Sequence, residues 1–170
     1  RGSELSVTCG DGRTLTCDDV VLAVPPPVWT KIDMQPALPG ALVPQMGCNV
    51  KYLSRVKTRF WDSIPLAPDM MTDDEVSMTW EGTDGQTEGG AEACLNCFSG
   101  GPGAEKIRMR EAADRTRKYA ETLESIFPGY GKNVDGTRFM DWPGEQWTGA
   151  GYSFPAPGQV TTVGPQPAAA

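Results

Sequence analysis

The sequence predicts an α+β fold, a mixed and mainly antiparallel sheet with one long helix. Three observations carry that prediction. Alternating apolar and polar residues recur between Gly- and Pro-rich connections, as in strands joined by turns. One stretch, between Gly103 and Pro128, instead carries its apolar residues at approximately helical spacing. Gly 20 and Pro 15 in 170 residues make the chain loop-rich without making it low-complexity.

Taken in order, Leu5, Val7 and Cys9 alternate with polar residues, and Thr14 to Cys17 resumes the pattern after Gly10-Asp11-Gly12-Arg13. Asp-Gly between two such runs predicts a β-hairpin. Val20 to Val24 is a short apolar run with three valines, which suits a strand covered on both faces. Pro25, Pro26 and Pro27 end it, because proline cannot donate to a ladder. Trp29 and Lys31 lie just beyond that stop, where α/β-type sheets present groups to a ligand.

Residues 32–47 are broken by Pro36, Pro39 and Pro44 and read as a loop with at most a helical turn. Cys48 to Val56 reads as a strand with Cys48, Val50 and Tyr52 on one face. Phe60-Trp61 and a Pro-rich connection follow. Val76, Met78 and Trp80 then alternate with Ser77 and Thr79, predicting another strand. Glu81 to Gly90 is a polar turn region, and Ala93 to Phe98 makes a strand on its far side. The helix follows Gly100-Gly101-Pro102-Gly103, with Ile107, Ala112, Ala113, Tyr119, Ala120, Leu123, Ile126 and Phe127 as its apolar positions. Pro128-Gly129 ends it. Val134 to Met140 is one more strand, and 165–170 reads as a tail.

The charge balance narrows the function. A net charge of −7 without a basic cluster argues against nucleic acid and anionic membranes as partners. No apolar run approaches the length of a membrane span. The chain has no histidine, which removes Ser-His and Cys-His nucleophile pairs, imidazole acid–base chemistry and His-ligated zinc. Any catalysis must use Lys, Asp/Glu, Tyr, Cys or a cofactor. Five cysteines without a disulfide-like framework, and no signal peptide at the first residues, favour a reducing, cytoplasmic setting.

The local motifs are weak. Cys94 and Cys97 form a CxxC, but zinc needs a second ligand pair, and in a strand residues i and i+3 face opposite ways. A structural role is the simpler reading, with metal or thiol chemistry as the alternative. The glycine loop 100–103 lacks the G-x-G-x-x-G and Walker patterns and reads as a helix entry. Asp73-Asp74-Glu75 lacks calcium-loop spacing. Lys31 alone reads as an exposed lysine. Tyr152, in the Gly-flanked loop Trp147 to Phe154, suits either a ligand-facing turn or an ordinary packed loop.

Residues 20–39 carry a V-x-x-A-x-P-P strand end, a lysine, and then x-P-x-L-P. A glycine-led strand from Met46-Gly47 to Phe60-Trp61 follows, then Phe98-Ser-Gly-Gly101 before a helix, then the aromatic glycine segment Trp142 to Gly158. In this order, over about 140 residues, the pattern resembles the flavin-containing amine oxidases, which include monoamine, polyamine and L-amino-acid oxidases. The resemblance implies oxidation of an amine C–N bond to an imine, with oxygen reduced to hydrogen peroxide, on a small amine or amino acid.

The same resemblance implies FAD as cofactor and assigns roles. Lys31 matches the lysine that holds a water near flavin N5, and Tyr152 matches one wall of the aromatic pair around the substrate amine. Ala23, Val24, Pro25 and Pro26 fall along the flavin side, and Trp142 matches a tryptophan beside the flavin ring. Gly151 stands where mammalian monoamine oxidases carry a flavin-tethering cysteine, so FAD here is expected to be non-covalent.

The expected organisation is a partial FAD-domain hairpin and strand over 1–27, a substrate-binding domain over 28–140, and a return segment over 141–164. The hairpin and strand are then edge strands of an incomplete Rossmann-like domain. The family's opening G-x-G-x-x-G and closing flavin strand have no counterpart in the sequence, so the expected partner is the missing FAD-domain segments of a longer product or a companion subunit carrying them. A non-catalytic substrate-domain remnant, acting as a binding or structural module, is the alternative.

Overall fold

A computed structural model of the chain describes residues 4–38, 42, 44–86 and 92–162. The hairpin forms as expected: β1 (Leu5–Thr8) pairs antiparallel with β2 (Thr14–Cys17), Val7 opposite Leu15. Asp11 braces the turn by accepting from the Arg13 backbone amide at 3.1 Å.

The next expectation fails. Residues 20–24 form no strand, and Val20, Val21 and Val24 are 52, 87 and 39% exposed. The run has the composition of a covered strand, but no strand among the described residues pairs with it, and of its five residues only Leu22 is half-buried. The edge-strand arrangement expected for 1–27 is therefore reduced to the isolated hairpin. The three prolines also do more than stop a strand. Pro26 opens α1 (Pro26–Trp29), where fixed φ suits a first helical turn.

The sheet that organises the chain has five antiparallel strands in the order β5-β6-β7-β4-β8. These are β4 (Asn49–Val56), β5 (Met70–Met71), β6 (Met78–Glu81), β7 (Ala93–Gly100) and β8 (Val134–Met140). A separate two-stranded pair joins β3 (Met46–Gly47) to β9 (Tyr152–Ser153). One face of the large sheet carries Val50, Tyr52, Val56, Ala93, Leu95 and Cys97 into the core, at 0 to 3% exposure. Its period-2 burial in β4 and β7 follows the alternation in the sequence. In β6 the face toward the core is the polar one. Thr79 points inward at 2% exposure and donates to the Pro68 carbonyl, while Met78 and Trp80 are half-buried on the other side.

Two helices cover the core face where one was expected. The helical stretch breaks into α2 (Gly101–Arg108) and α3 (Ala112–Ile126), followed by a turn, α4 (Tyr130–Asn133). The break has a tertiary cause. Arg110 reaches both carboxylate oxygens of Glu75 at 3.0 and 2.8 Å, and Glu111 takes an extended conformation to start α3 anew. Ala104 and Ile107 then bury from α2, and Tyr119 and Leu123 from α3, whereas Ala112 and Ala113 stay exposed. Tyr119 stacks on Tyr52 with ring centroids 4.2 Å apart, and its hydroxyl shares a 2.9 Å hydrogen bond with Ser99. Gly129 turns the chain out of α3 at φ +98, a left-handed conformation that favours glycine. The Glu124 carboxylate accepts from the amides of Gly129 and Gly131. Cys94 and Cys97 sit on opposite faces of β7, and all five cysteines are free thiols. The expected tail, 165–170, lies outside the described residues, as does much of the turn region from 87 to 91.

Candidate active site

Three pieces of chain position Lys31, Gly151 and Tyr152, three of the residues singled out in the sequence. These are the segment around α1, the β3–β4 junction, and the return loop from Trp142 to Phe154. The α1 segment is held by its own contacts. The Trp29 indole donates to the Val24 carbonyl at 2.8 Å, and Val28 is buried at 3% exposure. Lys31, just past the helix, is delivered to the return loop. Its ammonium donates to the Gln146 carbonyl, 115 positions away, and lies 5.3 Å from the centre of the Trp147 ring. A cation over an indole face is favourable, the more so as water is excluded.

The return loop begins with a 3-10 turn at Trp142–Gly144. Asp141 caps that turn by accepting from Gly144 and is itself bound by Arg108 at 2.6 Å. Trp142 is half-buried there and makes no hydrogen bond or ring contact with Lys31 or Tyr152. Further along, Gly149 adopts φ +69, and a Cβ on it would lie 2.9 Å from the Pro27 side chain. Glycine is required at 149 on both counts, which lets the loop close onto α1.

Gly151 donates to the Gly47 carbonyl at 2.9 Å, and Tyr152 pairs with Gly47 in the β3–β9 ladder. The Tyr152 ring lies directly over Gly47, where a Cβ would meet three of its carbons at 2.5 to 3.0 Å. Phe154 sets its ring edge-on to Tyr152 at 6.5 Å. Tyr152 is 42% exposed, Phe154 59% and Trp147 64%, so three aromatic faces are open along one loop.

Of the flavin-side expectations, Ala23 and Val24 are exposed and Pro25 and Pro26 half-buried. The Val24 and Pro25 carbonyls are spent on Trp29 and Val28. Between Gly47 and Asn49, burial raises the Cys48 thiol above its ordinary value, and the nearby Arg108 guanidinium opposes the rise.

Two residues with no sequence signal belong to this place. Gln146 supplies the carbonyl that receives Lys31. Asn49, 6% exposed, packs its side chain against Gly151, and its Oδ1 has no hydrogen-bond partner. No local pattern marks either residue, because both contacts are made across long stretches of sequence.

These features fit a planar aromatic cofactor on the loop side. Gly149 and Gly151 let the loop pack closely on Pro27 and Asn49, and exposed aromatic rings and one ammonium stand along it. A pyrophosphate is not provided for, since the sequence has no G-x-G-x-x-G loop. Among the described residues no cluster of His, Cys, Asp or Glu is suited to a metal ion, and no helix is long and apolar enough to cross a membrane.

Comparison with solved structures places the fold. A triple mutant of putrescine oxidase superposes with a TM-score of 0.79 over 92% of this chain, at 21% identity. Wild-type putrescine oxidase bound to putrescine gives 0.76 over 89% at 22% identity. Cyclohexylamine oxidase from Brevibacterium oxydans IH-35A gives 0.76 over 91% at 22% identity. The chain covers 36, 34 and 35% of those three chains, about a third of their length. No curated protein matches it. The model of the flavin-containing amine oxidoreductases matches residues 1–169, and the chain belongs to that family.

Proposed function

We propose that this chain is the substrate-side portion of an FAD-dependent amine oxidase. It would take a small amine or an amino acid, oxidise the C–N bond to an imine and release hydrogen peroxide. The observation that carries the proposal is the meeting of Lys31 with the 146–152 loop. That contact joins two segments that the sequence keeps 115 positions apart, and it sets a cation beside an open aromatic row.

The flavin, when bound, supplies the hydride acceptor and passes electrons to oxygen. The chain supplies position and charge. Lys31 holds a fixed cation, or a water on it, where negative charge develops during oxygen reduction. Tyr152 and Phe154 orient the amine by their faces and exclude water from it. Ala23 to Pro26, Trp142 and Gly151 line the flavin side, and Gly151, lacking a thiol, leaves FAD non-covalent. Residues 28–140 form the substrate-binding domain in this proposal, with 141–164 returning toward the flavin. The five free thiols support a reducing, cytoplasmic setting.

The remaining FAD-domain segments, on the same polypeptide or on a companion, complete the site. Their seam is the exposed apolar run Val20, Val21 and Val24 together with Leu5, Val7 and Leu15 of the hairpin. The test is reconstitution. The chain is combined with a polypeptide bearing a G-x-G-x-x-G half and a closing flavin strand, then assayed for a flavin spectrum and amine-dependent peroxide. An assembly that forms and stays colourless overturns the proposal.

A further inference from the structure

Gly47 in β3 and Gly151 just before β9 lie on opposite segments of this pair, and each makes room for a side chain arriving from the other segment. Over Gly47 sits the Tyr152 ring, with three of its carbons within 3.0 Å of where a Cβ would be. Against Gly151 sits Asn49, whose Cγ is 2.7 Å from the corresponding position there. The Gly151 amide donates to the Gly47 carbonyl at 2.9 Å and ties the two halves together. The result is a reciprocal clasp in which one glycine receives a ring and the other a carboxamide.

The carboxamide is the unusual part. Asn49 is 6% exposed and its Oδ1 is buried without a hydrogen-bond partner. Burying a polar atom in this way costs folding free energy that an apolar residue would avoid. The oxygen lies in the direction of a Gly151 Cα–H bond, which offers only a weak donor. Stability therefore does not explain asparagine at this position, whereas its shape does. With Asn49 in place, the 150–152 backbone has no space to sink toward β4, and the ring it carries stays at a set height over Gly47.

We propose that Asn49 is the positioning residue for Tyr152. The role in amine binding rests on Tyr152 being a wall of the amine site, as proposed above. Asn49 does not touch the amine in this scheme. It acts through the Gly151 backbone, and it also confines position 151 to glycine, since any larger residue would have to displace it.

The experiment uses the 170-residue chain labelled with 3-fluorotyrosine, without flavin or amine. The chain has four tyrosines, of which Tyr52, Tyr119 and Tyr130 are buried, so the Tyr152 resonance is assigned by its loss in Tyr152→Phe. Asn49→Ala and the milder Asn49→Ser are expected to shift or broaden the Tyr152 resonance and leave the three buried ones in place. Asn49→Leu, close to asparagine in shape, is expected to keep the wild-type position. Gly151→Ala is expected to move the resonance as well, since a Cβ there meets both the side chain and the backbone nitrogen of Asn49.

A Tyr152 resonance unmoved by both truncations overturns the proposal, as does a change spread equally over all four tyrosines. The spectrum is taken without cofactor, so it judges the clasp alone. Amine turnover in the reconstituted protein judges the amine-site reading separately.

Discussion

The Lys31 ammonium lies 5.3 Å from the centre of the Trp147 ring while donating to the Gln146 carbonyl, so one cation fastens the segment after α1 to the loop that carries Tyr152. Lys31 is exposed, so losing its carbonyl and ring contacts should cost the fold only about 1 kcal/mol. In the reconstituted oxidase, Lys31→Met is expected to lower the oxygen-dependent rate roughly 100-fold or more, the scale of losing one fixed electrostatic group. Peroxide formation at varied oxygen checks this. A variant oxidised as fast as wild type would remove Lys31 from the chemistry.

Tyr119 is wholly buried, stacked on Tyr52, and bonded through its hydroxyl to Ser99. Tyr119→Phe keeps the stack but strands the buried Ser99 hydroxyl, at a cost of about 1–3 kcal/mol. Tyr119→Ala also opens a cavity and is expected to cost about 3–5 kcal/mol, the range for large aromatic truncations. Denaturant unfolding of both variants tests the order. Equal losses would mean that the ring adds nothing beyond its hydroxyl, and a Tyr119→Phe variant as stable as wild type that the hydroxyl pair contributes nothing.

Acid should weaken the fold through two carboxylates held below their ordinary values. Lys118, 2.7 Å away, does this for Asp74, and the amides of Gly131 and Gly129 do it for Glu124. Both groups protonate more readily in the unfolded chain. Their stabilisation is therefore complete above the ordinary values of 3.8 and 4.5 and is lost as pH falls through the lower folded values. Asp74→Asn is expected to flatten part of the decline in unfolding midpoint below about pH 4, and added salt to shrink it, because the pair is partly exposed. Parallel pH curves for wild type and variant would show that Asp74 takes no part.

Val21 is 87% exposed, so Val21→Asp should leave the chain's own stability within about 0.5 kcal/mol. If the 20–24 run is the seam for a companion, the same change should abolish reconstitution by placing a charge in an apolar contact. Sedimentation of the mixed components distinguishes the cases. Undiminished assembly would put the seam elsewhere.

Much of the sheet was legible because period-2 alternation is local. The hairpin, β4, β7 and β8 fall where Leu5 to Cys17, Cys48 to Val56, Ala93 to Phe98 and Val134 to Met140 place them. What the pattern could not show was set by distant partners. The break between α2 and α3 contains no glycine or proline and depends on Arg110 finding Glu75. Thr79 turns inward because the Pro68 carbonyl is there to receive it. In the site, Lys31 and Tyr152 were named through motif order, whereas Gln146 and Asn49 act across 115 and about 100 residues and leave no local trace.

The position of β4 also governs when the sheet can assemble. Its two neighbours are β7 and β8, so its ladders join residues 49–56 to 93–100 on one side and to 134–140 on the other. Such non-local pairing slows folding, because long loops must close before any ladder bond forms. During synthesis, β4 waits with both edges unpaired until β7 emerges, and with one edge open until Met140 has left the ribosome. For that interval a strand that is interior in the finished sheet is an edge strand, and a nascent chain stalled between residues 100 and 134 presents it unpaired on one side.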